Sequence, residues 1–270
     1  MKRTLFRFAL AGLLAVGMTA SSYAAIVTQW NFNGATVGTT APSTGTGTAS
    51  LIGGTTETFA SGDASGGSSD PAAPSPPDFG WNTAGYPTTS INNETAGVQF
   101  AASTVGYEDI TVSFDMRHSN TASRFWAIYY TTDGSTWNRF AVGPGNASPG
   151  ATPSGGNPAS TAGLFGTNGT FSAFDGTVTG AGDDWFNGRS FDLSSIAGVE
   201  GNANFGLRIV TSFDSGSAYQ ASSGGAYGGG TARFDMVTIN GTAVIPEPST
   251  YALLGAGAIG LAFFRRRRVA

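Results

Sequence analysis

Few side chains in this sequence can do covalent chemistry. The 270 residues hold one histidine, His118, and no cysteine. A two-histidine metal site within one chain, a thiol nucleophile and a thiolate-ligated metal are therefore excluded. No G-x-S-x-G elbow is present to present a serine nucleophile. His118 sits in the polar stretch Arg117 to Ser123 and reads as a hydrogen-bonded loop residue rather than a general base. Two adjacent acid pairs occur, Glu108-Asp109 and Asp183-Asp184. Neighbours on a strand point to opposite faces, whereas glycosidase carboxyls face each other about 5–10 Å apart. Both pairs read as solvating acids, and a hydrolase is only the third reading. Trp126 and Tyr130, with Trp81, Tyr86 and Trp185, are the aromatics that could stack on sugar rings. The remaining feature is a recognisable cut site. Pro246-Glu247-Pro248 lies near the C-terminus, where the prolines break regular structure and hold an extended, accessible backbone.

The elements that position these residues are strands. Ile110, Val112, Phe114 and Met116 alternate with Thr111, Ser113, Asp115 and Arg117, which predicts one buried and one outward set. Phe205, Leu207, Ile209 and Thr211 form a second such set. Arg124 to Thr131 is apolar on both faces, so one serves the core and the other is capped by a loop or open to a ligand. We expect the Trp126 and Tyr130 face to be the second. Asp133-Gly134 predicts a hairpin into Trp137–Val142, and strands are also expected over Ile26–Phe32, Gly97–Ala102 and Arg233–Asn240. Ser61 to Asp78, rich in proline, reads as an extended surface loop, and Asp214 to Gly230 as a mobile one. Glycine supplies 41 residues, about twice the usual share of roughly 7%. Without crossover helices, the pattern predicts an all-β, antiparallel β-sandwich.

Both chain ends depart from this pattern. Lys2, Arg3 and Arg7 precede an apolar run from Phe8 to about Met18, followed by Ser22-Tyr23-Ala24. This reads as a secretory signal peptide, residues 1–24, cleaved after Ala24. At the other end, residues 251–264 are apolar or small and precede Arg265, Arg266, Arg267 and Arg268. As a helix they span about 21 Å at roughly 1.5 Å per residue, short of a bilayer core of about 30 Å. The arginines mark a cytoplasmic stop. Gly255, Gly257 and Gly260 spell G-x-G-x-x-G, but the chain ends ten residues later. That leaves no βαβ unit for a nucleotide, and they read as small residues of a membrane helix.

The order of Pro-Glu-Pro, short apolar helix and terminal arginine cluster closely resembles the PEP-CTERM sorting signal of Gram-negative bacteria, over residues 245–268. The resemblance implies that exosortase, a membrane-embedded cysteine protease, is the partner. Pro246, Glu247 and Pro248 would then be a substrate site, and contact with the membrane through 251–264 transient.

Between the ends, residues 25–244 carry six arginines, no lysine and sixteen acids, a net charge of about −10. Such a body lacks the clustered cations that nucleic acid or anionic lipid requires. Trp30-Asn31-Phe32-Asn33-Gly34, Ser113 to Ser119 and Arg233 to Val237 look like strand signatures of secreted bacterial jelly-roll sandwiches, many of which bind carbohydrate. That resemblance implies a structural calcium between first and last strands, with Asp235 and a ligand near Asn31 or Asn33 as the candidate site. No other cofactor is expected. Thr131 to Trp137 resembles the Asp-box turn of sialidases but is one residue short, and reads as a hairpin with a packed tryptophan. Taken together, the residues predict an exported, non-enzymatic surface or matrix protein, with a carbohydrate-binding module acting on exopolysaccharide as the alternative.

Overall fold

A computed structural model describes residues 24–71, 77–140, 170–172, 185–213, 217–222, 225–244 and Gly255. The expected signal peptide, sorting motif, membrane helix and arginine cluster, and the Asp183-Asp184 pair, lie outside the described residues, apart from Ala24 and Gly255. No helix among the described residues is long and apolar enough to cross a membrane. Ala24–Ala243 forms one compact unit.

That unit is all β, in two antiparallel sheets. In chain order the strands are β1 (Ala24–Trp30), β2 (Thr44–Gly45), β3 (Thr48–Ile52), β4 (Thr56–Ser61), β5 (Phe79–Ala84), β6 (Gly97–Ala101) and β7 (Tyr107–His118). They continue with β8 (Phe125–Thr131), β9 (Asn138–Arg139), β10 (Thr170–Ser172), β11 (Trp185–Asp192), β12 (Gly206–Thr211) and β13 (Ala232–Ala243). The first sheet runs β11-β7-β13-β1-β2, with β5 on β13 and β4 on β5. The second runs β10-β8-β12-β6-β3, with β9 on β8. From β6 to β8, and from β11 to β13, consecutive strands alternate between sheets. The chain therefore binds the two layers together as it passes.

The alternating sets pack between the layers as their period requires. Ile110, Val112, Phe114 and Met116 of β7 are buried in one cluster with Leu207 and Ile209 of β12 and with Phe205. Aromatic rings join the sheets: Trp30 to Phe100 at 5.1 Å, Trp81 to Phe100 at 6.0 Å and Trp126 to Phe234 at 6.1 Å between centroids. The hairpin at Asp133-Gly134 forms, with Gly134 at φ +77° and Tyr130 opposite Asn138. Among the described residues of its second arm, Asn138–Arg139 is strand.

Three expectations need correcting. The last strand does not stop at Asn240-Gly241; β13 continues to Ala243 through a register shift between Asn240 and Thr242. The stretch after Ser61 does not simply skirt the surface, because its flanks pack on the first sheet and leave Asp78 buried. The described part of 214–230 is also docked: Tyr219, Ala221 and Ser222 are buried, and Tyr219 donates its backbone N–H to Thr89 O at 2.8 Å. Glycine and serine content alone does not reveal the two tyrosines that anchor such a segment, Tyr219 and Tyr227, which stack at 5.0 Å.

Phe114, fully buried and stacked on Phe191 at 5.8 Å, is a test of the core. Phe114→Ala should destabilise the body by about 3–5 kcal/mol. Trp126→Ala should cost a similar amount, about 3–5 kcal/mol, and chemical denaturation of both variants measures it.

Candidate functional site

The first sheet presents its acids on the face away from the core, and the segment after β4 covers them. In β7, Asp115 follows the outward set of its strand, yet it is buried. Its carboxylate accepts the Ser69 N–H at 2.5 Å and the Gly188 N–H at 2.7 Å. One acid thus pins both the covering segment and the irregular turn of β11. Asp235 stands opposite Asp115 on β13, where the register shifts between Asp235 and Thr238 and Met236 takes φ +47°. The bulge lets Phe234 and Val237 both reach the core while Asp235 points the other way.

Asp70 and Asp78 join Asp235 there. Ligand oxygens of the three lie within 4.8 Å of one another. Asn33 Nδ2 holds Asp70 Oδ2 at 3.0 Å, and Asn33 Oδ1 accepts the Phe79 N–H at 2.7 Å beside Asp78. Ser68 Oγ donates to Asp78 Oδ2 at 3.3 Å, and Asp235 Oδ1 accepts the Met236 N–H at 2.7 Å. Gly62 is needed at this point, because a Cβ there would lie 2.2 Å from Asp78 Oδ2. Arg117 and Arg233, an outward cross-strand pair, brace the start of the covering segment through Ser65 Oγ at 3.1 Å and Ser61 O at 2.6 Å.

Burial, followed by the charges of Asp78 and Asp70, pushes the Asp235 carboxyl up to about 9. Burial, with Asp70 and Asp63, pushes Asp78 up to about 6. Burial also raises Asp115, opposed by its two N–H donors. The expected Asp235 is therefore central, but its companions differ from those anticipated. Asn33 orients Asp70, and Asn31 Oδ1 only accepts the Asn33 N–H at 3.3 Å. The missed residues had a signal in the sequence: Asp70-Pro71 and Pro77-Asp78 bracket the proline-rich run symmetrically.

On the second sheet the aromatic strand is inverted relative to expectation. Trp126 is fully buried, donates Nε1–H to Ser123 O at 2.9 Å, and meets Tyr86 edge-on at 5.5 Å. It is core and cannot stack on a sugar. Tyr130 shares its face and packs partly buried against the same core. The outward face instead carries Tyr129, whose hydroxyl donates to Glu94 at 2.5 Å, and Arg139, paired with Glu94 at 2.6 Å. Beside them Arg208 donates to Gln99 at 2.8 Å and lies 3.8 Å over the Trp137 ring. Trp81 is also buried, Tyr86 nearly so, and Trp185 donates to Ala64 O at 2.9 Å. His118 is not a loop residue; it ends β7, buried, stacked on Phe186 at 5.4 Å.

Comparison with known proteins bears on the C-terminus. Residues 244–268 match the PEP-CTERM protein-sorting motif. The motif implies export, membrane-associated sorting and processing by exosortase. No curated protein and no solved structure matches the chain.

Raised carboxyl pKa values mean that the folded state holds protons the unfolded chain has released, so stability falls with rising pH across that window. In a chelating buffer, the stabilising protons on Asp78 and Asp235 are present below the ordinary value of 3.8 and lost as pH rises through about 6 and about 9. The thermal midpoint should therefore decline over this range relative to an Asp78→Asn/Asp235→Asn variant. A midpoint difference independent of pH would contradict the assignment.

Proposed function

We infer that the chain is an exported, non-enzymatic surface or extracellular-matrix protein of a Gram-negative bacterium, delivered through exosortase. The observation that carries this reading is the sorting motif at 244–268, placed immediately after the last strand of the sandwich. The leader sends the chain across the inner membrane. The apolar run before Arg265–Arg268 halts it there, and cutting near Pro246–Pro248 passes the body on to the cell surface or surrounding polysaccharide. The body's negative charge supports a role among neutral polymers or proteins, since it repels anionic ones at low salt.

A second reading, carbohydrate binding, is favoured by one observation on the outer face of the second sheet. The Trp137 ring rests on Arg208, and its Cη2 lies 3.0 Å from where a Cβ of Gly206 would be. A partly exposed aromatic plane held in this way, with Gln99 and Arg208 beside it, is suited to stack on a pyranose ring.

Intact-mass measurement on protein from its own host tests the first reading. The mature chain should begin at Ala25 or Ile26 and end close to Pro246–Pro248. Retention of Arg265–Arg268 in a host with active exosortase would overturn it. For the second, Trp137→Ala should abolish periodate-sensitive binding to exopolysaccharide while shifting the thermal midpoint little. Wild-type protein that binds no exopolysaccharide would leave only the first reading.

A further inference from the structure

Two carboxylate oxygens on the outer side of the first sheet have no partner. Asp78 Oδ1 and Asp235 Oδ2 are buried without a hydrogen-bond donor, in residues only 2% and 0% exposed. Buried polar groups are otherwise satisfied almost without exception, and an unpaired buried carboxylate is among the costliest arrangements a fold can hold. The carboxyl groups of these two residues converge with that of Asp70, one oxygen from each lying within 4.8 Å of the others. The convergence is built by separate devices: the bulge at Met236 turns Asp235, Asn33 fixes Asp70, and Gly62 makes room for Asp78.

We propose that Asp70, Asp78 and Asp235 bind one calcium ion, which fastens the segment between β4 and β5 to the central strand β13. The donor set selects the cation. All three ligands are hard oxygens, and the chain has no cysteine and a single histidine, stacked away on Phe186, so zinc and the softer metals lack their preferred donors. Calcium bonds oxygen at about 2.3–2.6 Å, so ligands on opposite sides of the ion stand roughly 4.6–5.2 Å apart and adjacent ones closer. The observed spread accommodates that geometry. Backbone carbonyls and water complete the six to eight ligands that calcium takes, which magnesium's stricter octahedron accepts less readily. Asp115 is a positioning residue: through the Ser69 N–H it sets the backbone next to Asp70.

The ion would convert mutual repulsion into attachment, and this gives the test a distinctive sign. Asparagine is nearly isosteric with aspartate and removes one charge. In chelator, Asp78→Asn and Asp235→Asn should therefore melt at or above wild type, whereas in calcium they should melt below it. The full chain, purified in mild detergent and stripped with chelator, is titrated with calcium chloride by calorimetry and by thermal melting. Wild type should bind one calcium per chain and melt roughly 5 °C or more higher in about 1 mM calcium, the range in which extracellular modules bind it, about 10⁻⁴–10⁻³ M. Asp70→Asn, less buried and a second route should the others fold poorly, should weaken binding at least tenfold. Absence of a binding heat together with a calcium-insensitive midpoint in wild type would overturn the proposal. So would variants destabilised equally in chelator and calcium, because the carboxylates would then be structural acceptors. Neither outcome touches the sorting assignment, which is read from the mature C-terminus.

Discussion

The ladder between β7 and β13 is the pairing on which the rest of the body depends. β13 takes β7 along one edge and is shared on the other between β5, at Ala232–Phe234, and β1, from Val237 onward. The first and last strands of the body are thus joined at the middle of a sheet, and loss of β13 would detach three neighbours at once. The bulge after Asp235 is where the two halves of that edge meet. A regular strand would alternate Phe234, Met236 and Thr238 inward; the extra residue brings Val237 and Ile239 to the core instead. An acid is thereby aimed at the outer face, at the point where the covering segment arrives.

The core was legible because period two states it directly. Phe114, Met116, Leu207 and Ile209 sit among polar alternates, and a strand has only two faces. Arg124–Thr131 was not, because apolar residues on both faces leave the choice to the second sheet's other contacts. Here β10 and β9 add strands to its edge and the segment around Tyr219 packs nearby, so an outward Ala127 is as buried as an inward Trp126. Asp235 was reached through the resemblance to jelly-roll sandwiches, which implies an acid of the last strand as a calcium ligand. Asp70 and Asp78 were hidden because nothing in local sequence states that a proline-rich connection folds back over a sheet. That fact resides in pairs such as Ser69 with Asp115 and Asn33 with Asp70, separated by 46 and 37 residues.

The distribution of cations follows a similar division. With six arginines for sixteen acids, each guanidinium in the body has a specific placement rather than contributing to a diffuse positive surface. Arg117 and Arg233 hold the covering segment by its serines, Arg139 pairs with Glu94, and Arg208 lies on Trp137. Arg189 is almost wholly buried over Phe186, and desolvation lowers it to about 10. Arginine suits these positions because its planar fork stacks and donates at the same time, which an ammonium group does poorly. The absence of lysine is thus a property of how the fold uses charge.

The boundary between fold and sorting signal is abrupt. β13 ends at Ala243, and the sorting motif begins at the next residue. The final ladder pairs, Thr242 with Glu108 and Ala243 with Tyr107, lie wholly on the body side. A cut near Pro246–Pro248 would therefore remove no residue from the sheet and no side chain from the core. At the other end, cleavage after Ala24 would delete only the pairing of Ala24 with Thr242, leaving Ile26 to Trp30 in register. Because both of these positions lie at the limits of the ladder, losing the residues beyond them would leave the stability of the body essentially unchanged. The central strand is made by the last residues of the body, so the sandwich can close only once nearly all of Ala24–Ala243 is available to fold.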